Sequence, residues 1–276
     1  LVNNNMTNNS NINNMAMPRI GIGTFFPGET DMKKICDAIS LSNTLGYQHY
    51  DCAEVYQSTK SVGTALSSMA REKVWITTKL KGIPNNTDEN YEDLKSRVEK
   101  QLELLGNVKY VDLLLIHFPG RNEVDLSASP EAVKEMASFD WFEKNIDQGW
   151  KNMIRLREDG LCRRIGISNF YKKHLDRLLQ CPSVTMNLKE NIPFANEIYI
   201  DPSHPEFKYV NYMQSLQIKV IAYRSFAFLP VIEMASQMGD TLYSKLNALK
   251  EKYGHNSIHE TIINWLVQRN IYVLVK

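Results

Sequence analysis

Eight short apolar runs recur along this chain, and between most of them the hydrophobic spacing becomes that of a helix. The runs are 19–24, 47–52, 74–79, 111–117, 164–169, 195–200, 219–224 and 271–276. Most are near-continuous in apolar residues, as in Val111-Asp112-Leu113-Leu114-Leu115-Ile116-His117, and read as parallel strands covered on both faces. Helical patterns occupy Lys33–Leu45, Ser61–Met69, Asp88–Leu105, Trp150–Glu158, Lys172–Leu179, Glu206–Leu216 and Ser257–Gln268. The last opens on a capping box, Ser257 with Glu260. Gly46, Gly160 and Asn270 stand before strands, where a helix would stop. Eight strands alternating with helices predict an α/β fold, a (β/α)8 TIM barrel. A doubly wound sheet would want a glycine fingerprint after its first strand. Gly21-Ile22-Gly23-Thr24-Phe25-Phe26 fails it, because Phe26 holds the third glycine position.

With 276 residues, the chain suits one large core. Residues 17–276 are expected to form the barrel, and the Asn-rich stretch 1–16 a disordered tail. The sequence stops at Lys276, directly after the eighth run, so either the chain continues beyond this sequence or the barrel is trimmed after its eighth strand. A net charge of +1 leaves no electrostatic footprint for nucleic acid or an anionic membrane. No apolar run reaches membrane-spanning length, and residues 1–14 lack the basic and apolar regions of a secretory signal. Cys36, Cys52, Cys162 and Cys181 form no Cys-x-x-Cys pair and read as reduced thiols. A cytoplasmic monomer acting on a small molecule is the expectation.

Polar residues collect where the runs end. Asp51 closes Tyr47-Gln48-His49-Tyr50-Asp51, and Tyr56 follows five residues later. Lys79 closes Val74-Trp75-Ile76-Thr77-Thr78-Lys79, and His117 closes the fourth run. The carboxyl ends of barrel strands share one rim, so a carboxylate, a phenol, an ammonium and an imidazole could converge there. Such a set can protonate a carbonyl oxygen while a cofactor delivers hydride. An ammonium at ~4 Å with an effective dielectric of ~20 favours a phenolate by roughly 4 kcal/mol, about 3 pKa units before losses. Lys79 is therefore expected to lower the Tyr56 pKa, Asp51 to hold Lys79, and neutral His117 to orient the substrate oxygen. His255 and His259 have ligand spacing, but Asn256 breaks the metal-binding motif, and no metal is expected.

At these residues the sequence resembles the aldo-keto reductase family. Gly46-Tyr47-Gln48-His49-Tyr50-Asp51-Cys52-Ala53-Glu54-Val55-Tyr56 is similar to the family's second-strand signature. Tyr110 to Pro119 resembles its fourth strand and Gly166-Ile167-Ser168-Asn169-Phe170 its fifth. The resemblance runs from about Met17 to Lys276. It implies a barrel that binds a nicotinamide cofactor, usually NADPH, and reduces an aldehyde or ketone to an alcohol. Asp51, Tyr56, Lys79 and His117 would be its catalytic tetrad, with the proton coming from Tyr56. Thr24 and Phe25 match residues near the nicotinamide ribose, Ser168 and Asn169 those at the carboxamide, and Tyr223 the aromatic stacked on the ring. Lys276 matches the first residue of the 2′-phosphate clamp, and Asp51 also counts among the cofactor contacts.

The departures shape further expectations. Glu197 stands where the family carries a Gln that holds the carboxamide, and a carboxylate can accept but not donate there. The segment Cys181–Ala195 before it is longer than the family norm. Lys81 and Phe118 replace common pocket tryptophans, which with Phe25 and His117 completes the expected substrate wall. Lys81 would favour polar or anionic carbonyls. The contrasting readings are a barrel of this family serving as a weakly catalytic cofactor-binding or regulatory subunit, and a catalytic barrel preferring NADH.

Overall fold

Eight parallel strands pair in chain order and the last pairs with the first, closing a barrel. The computed structural model describes residues 15–26, 28, 31–85, 89–106, 108–121, 138–236 and 241–276. The expected Asn-rich tail falls on residues 1–14, outside the described residues, with only Met15 and Ala16 described. The strands are β1 (Ile20–Gly23), β2 (His49–Asp51), β3 (Trp75–Leu80), β4 (Leu113–Ile116), β5 (Ile165–Ser168), β6 (Ala195–Tyr199), β7 (Lys219–Tyr223) and β8 (Ile271–Val275). Each lies inside its expected run or within one residue of it.

Alternation along each strand divides the molecule into two cores. Outward residues such as Ile76, Leu114, Ile167 and Val220 pack under the helices in one continuous cluster. Inward residues Trp75, Leu113, Leu115, Ala195, Ile221 and Leu274 fill the lower barrel as a second. Gly166 fits this filling because a Cβ there would meet the Ala195 carbonyl oxygen and Leu115 Cδ2, each at 2.7 Å. Above the apolar layer the inward positions turn polar, and the site begins there.

The helices end as their stop signals require. Gly46, Gly160 and Asn270 all have positive φ (89°, 78° and 59°), the left-handed turn that returns the chain to the next strand. Asn pays for this least among residues with a side chain. Before the helix Ile258–Gln268, Ser257 Oγ accepts from the Glu260 N–H at 3.1 Å. The Glu260 carboxylate reaches the Asn256 N–H at 2.8 Å, so the reciprocal half of the capping box is moved by one residue.

Three helical regions differ from expectation. The helix expected from Trp150 begins at Phe139, with Ser138 as its cap. Phe142, Ile146, Trp150 and Met153 form one buried stripe at helical spacing, diluted in sequence by the charged residues between them. Two helices, Leu229–Ser236 and Thr241–Tyr253, lie unexpected between β7 and β8. The long segment before β6 forms two short helical turns, Pro182–Thr185 and Leu188–Asn191. They are fastened to the Phe139–Glu158 helix where Trp150 Nε1 donates to the Asn191 carbonyl at 2.8 Å.

Candidate active site

The inward residues at the upper ends of the strands are Asp51 on β2, Lys79 on β3, Ser168 on β5, Glu197 on β6 and Tyr223 on β7. His117 directly follows β4, and Tyr56 lies in the loop after β2. Register sets this layer: Asp51 pairs with Thr77 one step below Lys79, and Ser168 pairs with Glu197.

Lys79 is the centre, with a side chain that has no exposure to solvent. Burying an ammonium costs several kcal/mol unless paired. Its Nζ donates to Asp51 Oδ1 at 2.7 Å and Oδ2 at 2.5 Å, and to the Cys52 carbonyl at 3.1 Å. It also lies 3.3 Å from Glu197 Oε1. Burial opposes the ammonium charge, but Asp51 and Glu197 outweigh it and hold Lys79 protonated well above the ordinary lysine range. Glu197 itself is pushed up to about 8, first by burial and then by the Asp51 charge beside it, with Lys79 pulling the other way.

Tyr56 is half-buried, with Lys79 Nζ 5.2 Å from its ring centroid. Phe25 packs against one side of the ring at 5.1 Å, and the His117 ring meets it edge-on at 5.9 Å. The expected fall in its pKa is not what the surroundings produce. Burial raises the phenol above its ordinary value; Lys79 lowers it, while Asp51 and Glu197 raise it again. An ammonium clasped by two carboxyls has little net field left to give. The hydroxyl therefore stays protonated throughout the neutral range, as a proton donor must.

His117 conforms to expectation. Burial, then the Lys79 charge, lowers its pKa to about 3, so the imidazole is neutral. It stacks on Phe118 at 4.5 Å, and its Nδ1 is buried without a partner.

Thr24 is fully buried, and its hydroxyl donates to the Asp51 carbonyl at 2.9 Å, which ties β1 to β2 beneath the site. Phe25 is 51% exposed and forms an open wall beside Tyr56. Lys276 Nζ lies 5.7 Å from the Phe25 centroid and 5.4 Å from that of Phe26. Asn169, at φ 60°, donates to the His117 carbonyl at 2.9 Å and to Ser168 Oγ at 3.2 Å. Its Oδ1 accepts from the Tyr223 hydroxyl at 2.6 Å, and Ser168 donates to the Glu197 carbonyl at 3.0 Å. Ser168, Asn169 and Tyr223 thus form one pre-ordered wall whose spare capacity is acceptor. Lys81 stands apart from the tetrad, half-buried, with its backbone N–H donating to Glu54 Oε2 at 3.0 Å.

Two features escaped the sequence. Glu197 was legible as a replaced amide, but its approach to Lys79 depends on barrel closure bringing β6 opposite β3. Glu54, inside the second-strand signature, accepts from Arg97 at 2.8 and 3.0 Å and so braces the loop that carries Tyr56. Away from the site, His255 Nδ1 bonds Thr261 Oγ1 at 3.0 Å, and the His259 ring meets Phe226 edge-on at 4.8 Å. All four cysteines are free thiols, and burial pushes Cys52 up to about 12.

The chain is similar to the 9,11-endoperoxide prostaglandin H2 reductase of Trypanosoma cruzi, 27% identical over 96% of this chain and 79% of that protein. It is 29% identical to the aldose reductase C of Dictyostelium discoideum, over 99% of this chain and 84% of that protein. The crystal structure of a Bombyx mori aldo-keto reductase in complex with NADP superposes with a TM-score of 0.72 at 26% identity, covering 94% of this chain and 80% of that one. A model of the aldo/keto reductase family matches residues 19–276, which span all eight strands and every side chain of the layer around Lys79. On that match and that shared barrel, the chain belongs to the aldo/keto reductase family, oxidoreductases that use NADPH.

Proposed function

We propose that this protein reduces an aldehyde or ketone to an alcohol with NADPH, acting as a cytoplasmic monomer. The observation that carries the reading is the Lys79 ammonium, gripped by Asp51 and lying under Tyr56, with a neutral imidazole across the ring. Tyr56 gives its hydroxyl proton to the substrate oxygen. The ammonium, though largely balanced, lies close enough to meet charge that develops on the phenol. His117 donates to the same oxygen and fixes its direction. Asp51 keeps the ammonium in place, since no rotamer of a solvent-free lysine can leave two short hydrogen bonds without cost.

The residues fit a nicotinamide. Ser168 and Asn169 offer acceptors to a carboxamide NH₂, and Tyr223 offers a flat ring. Thr24 and Phe25 lie on the ribose side, and Lys276 beside Phe25 supplies a positive charge for a phosphate. When bound, the nicotinamide supplies the hydride; the side chains hold, orient and protonate. Among the described residues no helix is long and apolar enough to cross a membrane.

The reading is tested by following NADPH absorbance with an activated aromatic aldehyde, and NADH in parallel. Turnover with NADPH is expected. Tight NADPH binding without turnover would favour the regulatory reading, whose support is Glu197 in place of an amide, and faster turnover with NADH would favour the NADH-preferring barrel.

Phe118, stacked on His117, and Phe25 form the apolar part of the substrate wall, and Lys81 its charged edge. Lys81→Ala is expected to lower kcat/KM for carboxylated aldehydes by about 2–5-fold relative to neutral ones, the range of an exposed ion pair. Unchanged relative values would remove Lys81 from the substrate site.

A further inference from the structure

The cluster around Lys79 contains one acid more than it needs. Asp51 alone, with both oxygens on Nζ, already neutralises the ammonium. Glu197 brings a second carboxyl to 3.3 Å from the same nitrogen, in a residue only 3% exposed, where it also meets the Asp51 carboxyl. An amide at this position would leave the Asp51–Lys79 pair neutral through the neutral range. A carboxyl leaves it neutral while protonated and one negative charge in excess when ionised.

We propose that Glu197 sets the redox preference of the cofactor site, its ionised carboxylate favouring the cationic oxidised nicotinamide over the neutral reduced one. This rests on the nicotinamide lying against Ser168, Asn169 and Tyr223, as proposed above. That wall is continuous with Glu197: Ser168 donates to its carbonyl, and Glu197 bears on the Tyr223 hydroxyl. NADP⁺ carries a positive ring and NADPH does not, so a buried charge beside the ring separates two ligands of nearly the same shape. Glu197 is only 3% exposed, so its charge is weakly screened.

The groups facing Glu197 are Asp51 on β2, Lys79 on β3, Tyr56 in the loop after β2 and Tyr223 on β7. Lys79 stays protonated well above neutrality, and both phenols are raised by burial, Tyr223 to about 12. His117, lowered to about 3, is already neutral. Asp51 is raised by burial as well, with Lys79 pulling it back, so the two carboxyls titrate as a unit in which Glu197, at about 8, carries the proton, and that unit gains one negative charge between mildly acidic and mildly alkaline solution. Linkage makes the effect reciprocal: a ligand that prefers the ionised form must expel the proton when it binds.

The test is calorimetric binding of NADP⁺ and of NADPH, separately, to the wild type and to Glu197→Gln near pH 7 and near pH 9.5. In the wild type the affinity ratio of NADP⁺ to NADPH is expected to rise about fivefold between the two, what a fall of about one unit in the Glu197 pKa on NADP⁺ binding produces over that range. At about pH 8, NADP⁺ but not NADPH should release a fraction of a proton, read from the dependence of the binding enthalpy on the buffer. Glu197→Gln should bind both cofactors with a ratio flat in pH and without proton release. The 2′-phosphate is common to both ligands and cancels in the ratio. A flat ratio in the wild type, or a proton release that survives in Glu197→Gln, would overturn the proposal even if both cofactors bind. Because the wild-type measurements stand alone, poor folding of the variant leaves the test intact. If neither cofactor binds wild type at either pH, the nicotinamide reading of the site fails first.

Discussion

Tyr56→Phe is expected to lower kcat for aldehyde reduction at least ~100-fold while the Kd for NADPH changes less than about twofold. The factor is the lower end of what a positioned general acid contributes. Only the hydroxyl is lost. The ring keeps its contacts with Phe25 at 5.1 Å and His117 at 5.9 Å, and the Lys79 ammonium keeps Asp51. Loss of kcat with unchanged cofactor affinity is the signature of an interaction made at the transition state. Steady-state kinetics with an activated aromatic aldehyde, together with fluorescence titration of NADPH, measure both halves. Near-normal turnover would remove Tyr56 as proton donor. The raised phenol pKa adds a sign. The donor form persists to at least the ordinary tyrosine range, so reduction should not decline through a tyrosine titration in neutral or mildly alkaline solution.

Lys79→Met is expected to have the largest effect on stability. The substitution preserves the stem and removes the charge, leaving Asp51 and Glu197 facing each other in a solvent-free site. Removing one partner of a buried ion pair costs about 3–5 kcal/mol. The cost should depend on pH in a defined direction. In the wild type Glu197 is raised to about 8, so the folded state holds a proton that the unfolded chain has given up above its ordinary value of 4.5. A raised carboxyl contributes stability that is present below the unfolded pKa and is lost as pH rises through the folded one. Without the ammonium both carboxyls move further in this direction. The deficit of the variant should therefore be small near pH 4.5 and grow through neutrality into alkaline solution. Urea unfolding of both proteins across that range reads it, and a deficit independent of pH would mean that the two carboxyls are not uncompensated. Turnover should fall with the ammonium as well, whatever the pH.

The parts of this molecule that were legible in sequence are those whose information is local. Strands covered on both faces must be largely apolar, so all eight stand out as runs, β2 included although only three of its residues join the ladder. Left-handed helix ends demand Gly or Asn, and Gly46, Gly160 and Asn270 mark them. The helices Leu229–Ser236 and Thr241–Tyr253 have weaker signatures. The first is only eight residues long, and among the described residues Leu246 is the buried apolar position of the second, too little to draw a stripe. The tetrad was visible because each strand delivers one member to the same rim. Its electrostatics were not. An ammonium near Tyr56 could be inferred, but neither the burial that raises the phenol nor the second carboxyl that reaches the ammonium across the closed barrel could be.

Closure has a cost in time. β1 finds its second neighbour in β8, with Ile20 opposite Val273. On a ribosome adding about 5–20 residues per second, β1 waits roughly 12–50 s for that partner to be made. Until then the nascent sheet has two bare edges, β1 and β7, each a row of unpaired amides able to recruit a strand from another chain. Ile20-Gly21-Ile22-Gly23 is a poor recruit, since two of its four residues have no side chain to pack. Gly21, where a Cβ would meet the His49 ring at 2.6 Å, thus both makes room for the barrel filling and leaves the strand that waits longest less adhesive.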